Sequence, residues 1–233
     1  MNLSIIIPAH NEEESIAQVI ARIEEKISLA HEIVVVNDHS CDRTADIVKD
    51  LSMQYKNNIR LVENLGNAGF ANALMTGFTN TNMDIVVPVM ADLCDDIDTI
   101  NRMYEKALEG FDVICGSRYM RGGIRLGGSR LKGFLSSFAG RSLYYLLGIP
   151  THDIANAFKM YRKKVIDDIE LKAKGFDISM EIPLKAHYSG YKITEVPTVW
   201  RERTKGKSSF KIFKLLPDYL KLYSWAVFKN ITR

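Results

Sequence analysis

The sequence predicts an α/β protein: a doubly wound, mainly parallel but mixed sheet with helices on both faces, in a single domain that ends in a C-terminal amphipathic helix. Three observations predict it. Short apolar runs rich in β-branched residues alternate with stretches of helical periodicity, which implies right-handed crossovers between parallel strands. Each early run ends in a polar cluster, PAHNEE, NDHS or MADLCDD, at the strand edge where such sheets bind ligands. The 233 residues, 46% hydrophobic and 25% charged, suffice for one sizeable core.

Each element follows in order. Residues 3–7 form an apolar run stopped by Pro8, and 33–36 a β-branched run stopped by NDHSCD, so both read as buried strands. Between them Ile16, Val19, Ile20, Ile23 and Ile27 recur at helical spacing, with Asn11 as N-cap and Glu14 as its capping-box partner. RTADIVKDLSMQYK then predicts a helix, IRLV a strand, and AGFANALMTGF a helix opened by Gly66 and Gly69. DIVVPVM predicts the next strand, residues 99–108 a helix, and FDVICG a strand. Beyond residue 116, GSRYMRGGIRLGGSRLKG holds five basic residues and no acid among glycines, which predicts a mobile loop suited to oxyanions.

Composition excludes several classes. Cys41, Cys94 and Cys115 are odd in number, widely spaced and without a CxxC pair, which argues against a disulfide framework and a structural zinc site, and for a reducing cytosol. The N-terminal apolar run is too short for a signal peptide. No stretch reaches the roughly 18–20 unbroken apolar residues of a membrane span. A net charge of +3 and the lack of an RRM, zinc-finger or bZIP signature exclude nucleic acid as the expected partner. PAHNEE stands where a dinucleotide fold would place GxGxxG, and no GxxxxGK[ST] loop is present.

The acids Asp92, Asp95 and Asp96 crowd where the strand DIVVPVM ends. Like charges at close range resist ionising together, so the cluster calls for a cation, a basic partner or open water.

Five motifs in order, IIIPAHNEE, VVVNDHSCDRT, NxGNAGFANA, MADLCDD and GSRY, resemble the family 2 inverting glycosyltransferases of GT-A fold, and most of all the polyprenyl-phosphate (dolichol-phosphate) sugar transferases, over nearly the whole chain. The resemblance implies transfer of a sugar from a GDP- or UDP-sugar donor to an acceptor. It implies that Pro8, Ala9, Glu12, Val36 and Asp38 hold the nucleoside, and that the MADL segment, Ala91 and Asp92, holds Mg²⁺ or Mn²⁺ and the donor diphosphate. On this reading 1–200 is the glycosyltransferase domain, with 1–118 its nucleotide-sugar half and 119–200 its acceptor half. Residues 201–233 are a basic loop and the C-terminal helix.

The chain departs from the family in one place. Met90 stands where relatives carry the first of two metal-site aspartates. Mg²⁺ is commonly held by one or two carboxylates with phosphates and waters, so Asp92 with Asp95 still meets its needs. The soft sulfur of Cys94 suits such an ion poorly. Asp96 is expected only to favour the start of the next helix through its dipole.

On the acceptor side, Arg118 of GSRY is expected beside the donor, and Asp153, ahead of Phe158-Lys159, is the catalytic-carboxylate candidate by resemblance. His152 is the weaker base candidate, and His10 and His39 are expected to shape loops. A hydroxyl acceptor needs a positioned base. A phosphate acceptor, at about −1.5 to −2 charge near neutral pH, chiefly needs positive charge. Arg203 opens an Arg-x-x-Gly-x-Ser element within a stretch of six basic residues against Glu202, which favours a lipid phosphate. The helix after it, with Pro217 expected at its start, mixes lysines with aromatic and aliphatic residues, a pattern of peripheral contact with the cytoplasmic face of a membrane. A membrane partner subunit could replace the transmembrane helices that relatives often add. Two other readings stand: transfer to a saccharide hydroxyl in cell-wall, capsule or surface glycan synthesis, and a non-catalytic binding protein of the same fold.

Overall fold

A computed structural model of the chain describes residues 2–55, 58–203 and 212–232. Six parallel strands and one antiparallel strand build the main sheet. β1 (Leu3–Ala9), β2 (His31–Asn37), β3 (Ile59–Glu63), β4 (Ile85–Pro88), β5 (Val113–Ser117), β7 (Lys159–Arg162) and β8 (Ile193–Pro197) lie in the order β3-β2-β1-β4-β7-β5-β8. Only β7 runs against its neighbours β4 and β5. The short strands β6 (Ile124–Leu126) and β9 (Val199–Arg201) pair parallel beside it.

The alternation of side chains along each strand divides the core. Leu3, Ile5 and Ile7 of β1, with Ile33 and Val35 of β2, face one layer, while Ile6, Val34 and Val36 face the other, as the two-residue period of a strand requires. The first layer is covered by α1 (Ile16–Lys26), α2 (Thr44–Gln54) and α4 (Thr99–Leu108). The second is covered by α3 (Phe70–Thr79), α6 (Lys163–Asp168) and α7 (Ile178–Tyr188). Gly77 lets α3 reach the sheet, because a Cβ there would lie 2.3 Å from Ile6 Cγ2. A third cluster joins α5 (Arg130–Leu147), α7 and α8 (Ile212–Ile231) through Leu143, Met180, Leu184 and Ala226.

Several expectations are corrected. Pro8 does not stop β1, which runs on to Ala9. The β4 ladder has already ended at Ile6↔Pro88, so the missing N–H of Pro8 costs no pairing on that side. α1 begins at Ile16 rather than near Asn11, whose left-handed backbone (φ 54°) takes it out of any helix. β4 spans four residues instead of seven. The glycine-rich basic segment is built into β6 and the start of α5 rather than forming an open loop. Pro217 lies inside α8 rather than at its start. Among the described residues, no helix is long and apolar enough to cross a membrane.

Because β7 is antiparallel, its N-terminal end and the carboxyl ends of β1, β2, β4, β5 and β8 meet at one edge. Residues distant in sequence therefore converge there.

Candidate active site

The first two crossover loops at this edge are stitched together. The Glu12 N–H donates to Thr44 Oγ1 (2.9 Å), the Cys41 N–H to Asn11 Oδ1 (2.8 Å), and the Arg43 N–H to Glu13 Oε2 (3.0 Å). Asp38 is almost fully buried and accepts from Asn64 Nδ2 (2.7 Å) and the Gly69 N–H (2.9 Å). Its carboxylate thus ties down the loop before α3. Pro8, Ala9 and Val36 are buried at the ends of β1 and β2, with the Val36 side chain packed in the core. His10 Nδ1 meets the Asp38 carbonyl (2.5 Å) and His39 Nε2 the Gly66 carbonyl (2.9 Å), so both histidines shape loops.

After β4 the chain makes a tight acidic turn. Leu93 adopts a left-handed backbone (φ 64°). The Cys94 N–H donates to Asp92 Oδ1 (3.1 Å) and the Met90 N–H to Asp95 Oδ2 (3.1 Å). Met90 therefore contributes its backbone here. Burial, reinforced by the negative charge of Asp92, pushes the Asp95 carboxyl up to about 7. Burial likewise pushes the Cys94 thiol far up, so it stays a thiol and makes a poor ligand. Asp96 accepts from Thr99 Oγ1 (2.9 Å) and Arg102 Nη2 (3.3 Å). It serves the start of α4, although not as the N-cap, which is Asp98.

The oxygen donors at this turn suit a divalent ion held jointly with phosphates. Among the described residues, no three acidic, histidine or cysteine side chains converge to form a complete protein cage. Asp92 and Asp95 instead put two hard oxygen donors on one turn, where burial, with the charge of Asp92 adding to it, raises the Asp95 carboxyl. That fits Mg²⁺ or Mn²⁺ bound jointly with phosphates, and does not fit a preformed calcium or zinc site.

Two arginines face these acids. Arg118, just past β5, donates from Nε to Asp153 Oδ2 (2.7 Å), from Nη2 to Asp153 Oδ1 (2.8 Å), and from its backbone N–H to Oδ2 again (3.0 Å). Asp153 is fully buried. Burial alone would lower the Arg118 pKa, but Asp153 more than offsets it. Both carboxylate oxygens of the catalytic-base candidate are thus engaged by a guanidinium. Arg203, past β9, donates from Nη2 to Glu12 Oε2 (2.8 Å). Gly206 and Ser208 of its motif, and Lys211, lie outside the described residues.

Some partnerships at the site carried no sequence signal. Ser136 of α5 accepts from Arg118 Nη2 (3.1 Å), and Asn156 Nδ2 donates to the Gly116 carbonyl (2.7 Å). Lys159 is fully buried and donates to the carbonyls of Ile154, Asn156 and Ser179. Arg125, from the glycine-rich basic segment, stacks its guanidinium on Trp200 (5.1 Å). His152 is paired with Glu195 through Nδ1 (2.5 Å) and stacked on Tyr144, so it anchors a turn.

Arg125, Ser136, Asn156 and Trp200 border one cleft of about 470 Å³. Asp92, Asp95, Arg118 and Arg203 lie along it, and Phe138 of α5 with Leu216 and Leu220 of α8 give it an apolar wall. A profile of glycosyl transferase family 2 matches residues 4–170. The chain belongs to glycosyl transferase family 2. Within the family it is 32% identical over 233 residues to a dolichol-phosphate mannosyltransferase of Pyrococcus furiosus, covering 97% of this chain and 64% of that protein. It is 26% identical to a polyprenol monophosphomannose synthase of Mycolicibacterium smegmatis, covering 98% of this chain and 88% of that one. The family 2 chain thus spans just under two thirds of the Pyrococcus relative.

Among solved structures it superposes on glucosyl-3-phosphoglycerate synthase from Mycobacterium tuberculosis with Mn²⁺, UDP-glucose and phosphoglyceric acid (TM-score 0.72, 17% identity, 97% of this chain and 79% of that one). It also superposes on S. aureus TarS with UDP-GlcNAc (TM-score 0.68, 18% identity, 97% and 66%). At such identities the likeness establishes the fold, the GT-A arrangement that the motifs implied.

Proposed function

We propose that this family 2 protein is a metal-dependent inverting glycosyltransferase that moves a sugar from a nucleotide-sugar donor, a GDP- or UDP-sugar, to a polyprenyl phosphate. One observation carries the reading: a single cleft joins the Asp92–Asp95 carboxylates, two arginines and an apolar wall of α5 and α8. A sugar hydroxyl would not need that wall. A phosphate on a long hydrocarbon chain needs both the cations and the wall. The names of the two relatives above point to the same acceptor class.

In this reading residues 1–118 bind the donor and 119–200, with α8, the acceptor. Pro8, Ala9, Val36 and Asp38 frame the nucleoside pocket, Asp38 by holding the loop at Asn64 and Gly69. Asp92 and Asp95 hold Mg²⁺ or Mn²⁺, which when bound neutralises charge on the departing diphosphate, and Ala91 closes the turn behind them. Arg118 and Arg203 stabilise phosphate oxygens by charge-assisted hydrogen bonds. An acceptor phosphate near neutral pH is already anionic, so the reaction needs no proton removed, and Asp153 serves by fixing Arg118.

The exposed Phe134 and Phe138 of α5 and Phe213 and Phe228 of α8 support peripheral contact with the lipid's own membrane, at its cytoplasmic face. The test incubates the protein with Mn²⁺, radiolabelled GDP-mannose or UDP-glucose, and a detergent-dispersed polyprenyl phosphate. Label is expected in the organic phase. Label that enters only a saccharide acceptor, or none in any donor and lipid combination, overturns the reading.

A further inference from the structure

Glu12 and Arg203 are 191 positions apart, yet Arg203 Nη2 lies 2.8 Å from Glu12 Oε2, with the two side chains only 15% and 16% exposed. Both partners hang from fixed backbone. The Glu12 N–H is held by Thr44 Oγ1, its carbonyl accepts the N–H groups of Ser15 and Ile16, and its Oε2 accepts Ser15 Oγ (3.1 Å). On the other side, the Arg201 N–H donates to the Cys94 carbonyl (3.0 Å) and the Glu202 N–H to Leu126 (2.9 Å). The pair therefore spans from the first crossover loop, across the acidic turn, to the end of β9.

We infer that Glu12 is a positioning residue whose carboxylate aims Arg203 at the diphosphate end of the cleft, in place of the nucleoside contact that the family resemblance implies. The inference rests on the donor reading above. Its logic matches Arg118, which Asp153 fixes in the same way. A free arginine loses rotamer entropy when it is ordered on a ligand. A carboxylate that orders it beforehand removes that cost from the binding step. The pairing also neutralises one negative charge beside Asp92 and Asp95, where a diphosphate has to approach. Burial raises the Glu12 carboxyl while Arg203 lowers it, as expected for an acid enclosed with one cationic partner.

Calorimetric titration separates this role from direct nucleoside contact without any need for turnover. Wild type, Glu12→Gln, Arg203→Lys, Arg203→Ala and the Glu12→Gln/Arg203→Ala double variant are titrated with Mn²⁺-GDP, Mn²⁺-UDP, and guanosine or uridine alone. Thermal melts confirm that each variant folds. Glu12→Gln is expected to weaken nucleoside diphosphate binding about tenfold, to leave nucleoside binding unchanged, and to cost nothing further once Arg203 is alanine. Arg203→Lys is expected to fall between wild type and Arg203→Ala, since a point charge retains attraction without the fork geometry. An equal Glu12→Gln penalty in the Arg203→Ala background, or weakened binding of the bare nucleoside, would overturn the proposal in favour of direct contact. Unchanged diphosphate binding by Glu12→Gln overturns it as well. A wild type that binds neither nucleotide overturns the donor site itself and this proposal with it, an outcome distinct from failure of the ion pair alone.

Discussion

Asp153 closes both of its oxygens on Arg118, at 2.7 and 2.8 Å from Nε and Nη2, inside a turn anchored to Glu195 of β8 by the His152 N–H (2.8 Å). A carboxylate so engaged is an orienting group. As a general base it would have to give up the guanidinium before taking a proton, leaving a buried charge unpaired. Asp153→Asn is therefore expected to lower turnover about 10²-fold through a misplaced Arg118, while the pH–rate profile keeps its shape. An ascending acidic limb present in wild type and lost in the variant would instead identify Asp153 as the base.

The metal reading predicts a specific loss of linkage. A ligand that binds only the folded form stabilises it by about 2.7 kcal/mol at a hundred times its Kd. Wild-type protein with Mn²⁺ and the matching nucleoside diphosphate should melt several degrees higher than without them. Asp92→Asn should lose nearly all of that shift and keep its basal melting temperature, because the Asp92 side chain makes, among the described residues, a local turn hydrogen bond with the Cys94 N–H. A full Mn²⁺-dependent shift in the variant would remove Asp92 from the metal site.

How much of this was legible in the sequence depends on the range of the interaction. The apolar run through Ile5, Ile6 and Ile7, the period of α1 and the bounds of α4 are local patterns, and the fold class follows from them. β7 was not legible, because its strand carries Lys159 in a fully buried position, which is sustained only by carbonyls from two other segments. α5 was hidden by Gly133 and Gly140 and by an apolar face that solvent touches. Among the site residues, position was legible and partnership was not. Asp38, Glu12 and Asp153 all lie at the expected sheet edge, yet each spends its carboxylate on a protein group contributed from 26 to 191 residues away.

Gly140 marks the closest approach of α5 to the turn that holds Asp153. A Cβ built there would lie 2.0 Å from the His152 carbonyl oxygen and 3.0 Å from the Asp153 N–H nitrogen. Gly140→Ala must push the helix or the turn aside. Overpacking of this kind costs about 1–3 kcal/mol, and the same displacement carries Ser136 and Asp153 away from Arg118. The melting temperature and turnover should fall together. A variant with wild-type turnover would show that α5 does not set the arginine.

The apolar wall should read the acceptor tail and ignore the donor. Phe138 borders the cleft and Phe134, one helical turn away, is 66% exposed. Phe134→Ser with Phe138→Ser is expected to raise KM for the lipid phosphate about tenfold, equivalent to roughly 1.4 kcal/mol of lost apolar contact. The donor KM should stay fixed. A short water-soluble phosphate ester should be used equally by both proteins. An unchanged lipid KM would place the tail on another surface.

Lys159 provides a pH test of the core. Burial pulls its pKa from 10.5 down to about 8, with Arg118 adding to the effect and the charge of Asp153 opposing it. Between pH 8 and 10.5 the unfolded chain therefore binds more protons at this position than the folded one. By linkage, its contribution to unfolding free energy rises with pH across that window, and its cost is fully present only below pH 8. Three backbone carbonyls accept from the amine, so Lys159→Met should still destabilise the protein at neutral pH, by about 3 kcal/mol, through orphaned buried acceptors. The difference between wild type and Lys159→Met, measured by urea unfolding, should widen by about 1–3 kcal/mol from pH 7.5 to pH 10. A gap that narrows over the same range would mean that the amine is charged throughout and that the carbonyl cage, rather than burial, governs its protonation.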